Sequence, residues 1–164
     1  MVDVPYFLVF DSVGSELAKR CSCMTPLQCV TVLESFAAAR MQHVTLSVFQ
    51  RAAMEGRDRL APTNLVRLLW CLARLRRADA DHLSLLIERV EVLETRPLSV
   101  TDSCSLLYAL YLAGSVPPAG VLQHACACLR EVGSAGLSMQ QVYQLQQFFY
   151  FVMLAPNVHE RSVL

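Results

Sequence analysis

Residues 60–69, Leu60-Ala61-Pro62-Thr63-Asn64-Leu65-Val66-Arg67-Leu68-Leu69, are one of four versions of a single phrase. The others start at Met24, Leu98 and Leu137, so successive starts lie 36, 38 and 39 residues apart. Self-similarity at that period is the signature of a repeat array, in which each unit buries its apolar face against the next. No other feature constrains the fold as much. It predicts an extended surface in place of an enclosed reaction cleft.

Each unit reads as two helices. The first opens on a start signal: Thr25-Pro26-x-Gln28 and Ser138-x-x-Gln141 are capping boxes, and Ser99-x-x-Asp102 is a close relative. Pro26 and Pro62 suit the first helical position, where a missing N–H costs nothing, although Ala61 is a poor cap. Apolar residues follow at helical spacing: Cys29, Val32, Leu33 and Phe36; Leu65, Leu68, Leu69 and Leu72; Ser103, Leu106, Leu107 and Leu110; Val142, Leu145, Gln146 and Phe149. The second helices carry Leu46, Phe49, Ala52 and Ala53; Leu83, Leu86, Ile87, Val90 and Leu93; and Leu122, Ala125, Cys126, Leu129 and Val132. Gly114 and Pro117-Pro118 separate the helices of the third unit, and Gly133 and Gly136 close it. No useful strand alternation occurs.

The prediction is an all-α fold, an α-solenoid of stacked helical hairpins with about four repeats of 36–39 residues in a single domain over 1–164. It divides into a half-repeat 1–23, repeats 24–59, 60–97 and 98–136, and a partial repeat 137–164. Residues 5–20, with Phe7, Phe10, Gly14 and Leu17 on one side, resemble a second helix without its first. Residues 156–164 begin a second helix. Solenoids cap their ends with a polar face, and neither end here has one. The expectation is a longer array or neighbouring subunits at both ends. Hydrophobic residues make up 54% of the chain and charged residues 17%, too few charges to cover a free elongated particle, which also calls for a partner.

Chemistry is sparse. Cys29, Cys71 and Cys104 fall inside first helices as small hydrophobes, and Cys21-Ser22-Cys23 and Cys126-Ala127-Cys128 lack common zinc spacing. An odd count of seven cysteines without a secretory signal fits free thiols in a reducing compartment. His43, His82, His124 and His159 share no metal spacing. No phosphate-binding glycine loop, nucleophile elbow or paired acidic site is present, so no catalysis, cofactor or small-molecule substrate is expected. The longest apolar run, 148–155, is far short of the ~20 residues a membrane span needs. The N-terminus has neither signal-peptide nor transit-peptide character, so an organellar chain would either have its presequence outside this sequence or be a processed or partial segment.

Charge is balanced overall, 14 basic against 14 acidic, but uneven along the chain. Thirteen of the basic residues are Arg, either because a rigid fork suits phosphate or because coding DNA favours Arg codons. Arg51, Arg57, Arg59, Arg67, Arg74, Arg76 and Arg77 make residues 51–77 net +5, while residues 78–102 are −4. Arg67 and Arg74 share one helix side, opposite the Leu65/Leu69/Leu72 stripe. The group is a candidate phosphate-contacting ridge for RNA. The competing reading is a solvated face paired with Glu88, Glu91 and Glu94. Trp70, Tyr108, Phe148, Phe149, Tyr150 and Phe151 are candidate protein-interface residues that could also stack on bases. Four consecutive aromatics cannot all point inward from one helix.

The stretch Leu60 to Leu75, with Leu68-Leu69-Trp70-Cys71-Leu72-Ala73-Arg74-Leu75, resembles the first helix of octotricopeptide and heptatricopeptide repeats, the organellar group that includes FAST-kinase-like and RAP-domain proteins. Leu98-Ser99 and Leu106-Leu107-Tyr108-Ala109-Leu110 carry the same pattern, and the resemblance covers 24 to about 155. No RAP signature is present. The resemblance implies a mitochondrial matrix protein: a non-catalytic structural subunit of a ribonucleoprotein, foremost the mitochondrial ribosome. It would contact rRNA or other organellar RNA and neighbouring subunits. The alternatives are a protein–protein scaffold, such as an accessory subunit of a respiratory or ATP-synthase complex, and a fragment of a longer RNA-processing factor.

Overall fold

A computed structural model of the chain describes residues 4–92, 98–133 and 136–154. These residues form α1 (Val4–Lys19), α2 (Pro26–Ala38), α3 (Leu46–Glu55), α4 (Pro62–Arg74), α5 (Ala80–Val92), α6 (Val100–Ala113), α7 (Ala119–Val132) and α8 (Met139–Leu154). Among the described residues there is no strand, and the fold is all-α. Leu93, Glu94 and residues 155–164, His159 included, lie outside the described residues.

The start signals act as caps. Thr25 Oγ1 accepts from the Gln28 amide at 3.3 Å, and Gln28 Oε1 accepts from the Thr25 amide at 2.7 Å. Ser138 and Gln141 reproduce the exchange at 3.3 and 2.8 Å. Ser99 Oγ accepts from the Asp102 amide at 3.1 Å. Ala61 takes the same extended backbone but offers no side chain. Three first helices end alike. Arg40, Arg76 and Gly114 adopt left-handed conformations at φ 54°, 53° and 67°, and the next amide bonds back to Phe36, Leu72 and Leu110. This closure satisfies carbonyls that the last turn would otherwise leave unpaired. These residues lie 36 and 38 apart, the intervals of the repeated phrase.

Packing follows the same order. α2 lies against α4, α4 against α6 and α6 against α8, while α3, α5 and α7 pair with α2, α4 and α6. α1 lies beside α3. It is followed by a 3₁₀ turn at Cys21–Cys23, as α3 is by one at Arg57–Arg59, so α1 holds the place of a second helix. One apolar cluster runs from Cys21 to Val121 through the first three units. A smaller one joins Cys104, Leu107, Ala125, Leu145 and Phe148. Gly56 sits so close to α2 that a Cβ there would meet Pro26 Cγ at 2.1 Å.

Two predicted stripes are displaced. In α8 the buried residues are Gln144, Leu145 and Phe148, whereas Val142, Gln146 and Phe149 are exposed. In α7 they are Val121, Ala125 and Cys128, with Leu122, Cys126 and Leu129 half-buried and Val132 exposed. α8 has α6 on one side and no second helix among the described residues, so the buried line turns toward α6. α7 packs chiefly on α6, and the line it buries there runs through Val121, Ala125 and Cys128.

Candidate interaction surfaces

Two hollows take in four of the residues that the sequence singled out, Arg67 and Trp70 in one and Arg51 and Arg57 in the other. One, of about 310 Å³, crosses the row of first helices and is lined by Glu34, Val66, Arg67, Trp70, Thr101, Asp102, Ser105 and Gln140. These residues come from α2, α4, α6 and α8, because the same face of each first helix looks out between its neighbours. Trp70 is half-exposed, and the Arg74 guanidinium lies over its ring at 5.4 Å. Arg74 Nε donates to the Ala37 carbonyl at 3.0 Å, which fixes the stack to the end of α2. Arg67 is held by Glu34 through Nε at 3.4 Å and through a closer Nη2 contact, and it donates to Asn64 Oδ1 at 3.0 Å. The hydrogen bond to Glu34 raises the pKa of Arg67 and keeps its charge in place. Asp102 accepts from Thr63 Oγ1 at 3.1 Å across the neighbouring units.

The other hollow, of about 370 Å³, lies between α3 and α5 and is lined by Ser47, Gln50, Arg51, Met54, Glu55, Arg57, His82 and Leu85. Arg57 Nη1 donates to the Met54 carbonyl at 3.0 Å, while Arg51 is exposed. His82 Nδ1 lies 2.6 Å from Asp79 Oδ2. Beside it, Arg89 Nε approaches Asp58 Oδ1 at 3.4 Å.

The seven arginines therefore occupy separate places. Arg67 lines the first hollow, and Arg74 stacks on its Trp70. Arg51 and Arg57 line the second. Arg77 Nη2 donates to the His43 carbonyl at 3.3 Å, with its Nε buried and unpaired, and Arg76 and Arg59 are exposed. The carboxylate on Arg67 belongs to the preceding first helix, not to Glu88 on α5. Glu34 occupies the repeat position of Trp70, so the pairing could have been sought one period upstream.

The aromatic residues also separate. Phe148 is fully buried, Phe149 and Tyr150 are exposed, and Tyr108 and Phe151 are half-buried. Tyr108 leans on Tyr111 at 5.7 Å, and Tyr111 meets Phe151 edge-on at 5.9 Å. Tyr111 Oη donates to Gln147 Oε1 at 3.4 Å. On α8, Met139, Val142, Tyr143, Phe149, Tyr150, Met153 and Leu154 form an exposed apolar face, while Phe7, Leu8, Val9 and Val13 are exposed on α1.

Burial keeps the interior thiols protonated. It pushes Cys29 and Cys71 up to about 12, and Cys21 Sγ lies 4.0 Å from Cys29 Sγ. His43 is a structural tie, with Nε2 2.9 Å from Asp11 Oδ1 and Nδ1 2.7 Å from Thr45 Oγ1. Among the described residues no three His, Cys, Asp or Glu side chains form a metal-ligand group, and no helix is long and apolar enough to cross a membrane. Comparison with known protein families, curated proteins and solved structures finds no match for this chain.

Proposed function

We propose that the chain is a non-catalytic helical-repeat subunit of a mitochondrial ribonucleoprotein, with the mitochondrial ribosome as the favoured assembly, read as an α-solenoid that touches RNA and neighbouring proteins. The observation that carries the RNA part is the Arg74–Trp70 stack beside Arg67 at an open groove. A half-exposed indole backed by a guanidinium is a platform for an unpaired base, and base stacking on such a platform contributes ~1–3 kcal/mol. The protein part rests on the exposed apolar residues of α1 and the exposed apolar face of α8. The organellar location rests on the repeat resemblance.

Trp70 is the chain's one tryptophan, so its fluorescence reports on the groove directly. Single-stranded RNA added at low salt should quench it, and moderate salt should reverse the quench as condensed counterions compete for phosphate. Tagged protein should co-sediment with mitochondrial ribosomal particles. Unchanged fluorescence at low salt together with sedimentation free of any RNA-containing particle would overturn the proposal.

A second reading, a scaffold that contacts proteins alone, is favoured by the engagement of Arg57, Arg67, Arg74 and Arg77 within the chain. It predicts no quench and co-purification with a respiratory or ATP-synthase complex.

A further inference from the structure

The polar groups around Trp70 are not equally open to a ligand. Among the described residues that line this hollow Arg67 is the one cation, and it is bonded through Nε and Nη2 to Glu34 and through Nη1 to Asn64. The hollow therefore holds no open cation for a phosphate. Asp102 differs. Ser99 Oγ and Thr63 Oγ1 both donate to its Oδ2, at 2.8 and 3.1 Å, so hydroxyls from α4 and from the start of α6 fix the carboxylate. Its Oδ1 has no hydrogen-bond partner among the described residues. The Ser105 hydroxyl and the Gln140 amide line the same space, also without side-chain partners among the described residues. The volume of about 310 Å³ is at the small end of ligand sites, which run from roughly 300 to 1,000 Å³. It has room for one base, not for a folded element.

An ionised carboxylate only accepts hydrogen bonds, whereas a hydroxyl or a primary amide can accept or donate. Asp102 therefore decides which base edge fits, and Ser105 and Gln140 adapt to it. Unpaired bases are read on their Watson–Crick edges. Guanine presents two adjacent donors there, N1–H and the 2-amino group. Adenine and cytosine place a ring acceptor beside their one amino group, and uracil flanks its single N–H with two carbonyl oxygens. Each of those three turns an acceptor toward the carboxylate. We propose that the hollow is a guanine-selective site for single-stranded RNA, with the base stacked on Trp70 and its N1–H and 2-amino group donating to Asp102 Oδ1. The proposal rests on the reading of this groove as an RNA site and adds which base it takes.

Titrations of Trp70 fluorescence at low salt test it, using short oligouridylates that carry a single central guanine, inosine, adenine or cytosine. The guanine oligomer should bind about 10- to 100-fold more tightly than the adenine, cytosine or all-uracil ones, the worth of one hydrogen bond to a charged group. Inosine keeps N1–H and loses the 2-amino group, so it should fall between. GMP alone, without flanking nucleotides, should bind more weakly than the guanine oligomer. Asp102→Asn replaces the carboxylate by a neutral amide of the same shape and should reduce the guanine preference to about threefold or less, with circular dichroism confirming that the helices persist. Equal quenching by every oligomer overturns the guanine selectivity and leaves the RNA reading standing. A guanine preference that is undiminished in the Asp102→Asn variant also overturns it, as does GMP binding as tightly as the oligomer, since the ligand is then a free nucleotide. The wild-type series decides the matter even if the variant fails to fold. Absence of quenching by any oligomer removes the RNA reading and this proposal together.

Discussion

Arg67 on α4 reaches back to the carboxylate of Glu34 on α2, a contact between residues 33 apart in the chain. The pair closes one side of the groove under Trp70 and cancels the charge that would otherwise attract phosphate. Both side chains are about one-third exposed, so the pair adds only ~0–1 kcal/mol to stability. Glu34→Gln should therefore leave the melting temperature nearly unchanged. It should also tighten low-salt binding of single-stranded RNA and steepen the salt dependence by up to ~0.7 in log–log slope, the value for one further phosphate contact. An RNA titration of the variant showing the wild-type slope would count against the groove as the RNA site.

Gly56 is present for space, not for backbone freedom, since its φ of −93° suits any residue. A methyl group there would lie 2.1 Å from Pro26 Cγ. Gly56→Ala should cost ~1–3 kcal/mol through overpacking. Pro26→Ala should restore part of that loss in the double variant, giving a coupling energy in thermal melts. Additive losses would show that the two residues do not share the contact.

Ser103 is fully buried in α6 with no partner for its Oγ, at a position where the other units place Cys29 and Leu65. Removing a buried hydroxyl that makes no hydrogen bond relieves a desolvation penalty of ~1–3 kcal/mol. Ser103→Ala should raise the melting midpoint in urea without changing the slope. A lower midpoint would mean that the hydroxyl is bonded in solution.

α4 starts without a side-chain cap at Ala61, whereas α2, α6 and α8 have Thr25, Ser99 and Ser138. Ala61→Ser provides an acceptor for the amide of Asn64 on a backbone already extended at φ −68°, ψ 156°. The expected gain is ~0.5–2 kcal/mol, read from chemical denaturation. No gain would place the serine hydroxyl in water.

Burial raises Cys71 from 9.0 to about 12 in the folded chain. The unfolded chain therefore releases its proton first, and the contribution of this thiol is complete below about pH 9 and lost as pH rises toward 12. Stability should decline along that alkaline limb, and Cys71→Ala should flatten it. In the native state, exposed Cys23 should react quickly with iodoacetamide, while Cys29, Cys71 and Cys104 should react only on unfolding. Rapid labelling of all seven cysteines under native conditions would contradict this burial.

Much of the fold is legible in one dimension because caps and helical periodicity are local. The Thr25 and Ser138 boxes, Pro26 and Pro62 at helix starts, and the stripes of α2, α4 and α6 could all be read from residue types at short spacing. The stripes of α7 and α8 could not. Which side of a helix is buried depends on where its neighbours sit, and for these two the buried line follows α6. The arginines show the same limit. Composition gathers seven of them between 51 and 77, but a ridge requires a common face, and folding sends them to two hollows and several carbonyls.

The sequence by itself determined that this chain is all-helical, where its helices begin, and at what interval the pattern returns, since each depends on groups a few residues apart. Only the tertiary structure decided which charges are neutralised, which aromatic rings reach solvent, and which apolar helix faces are exposed among the described residues. Those outcomes depend on which residues from neighbouring units meet. A partner such as Glu34 for Arg67 is 33 residues distant, and packing, not local preference, brings it close.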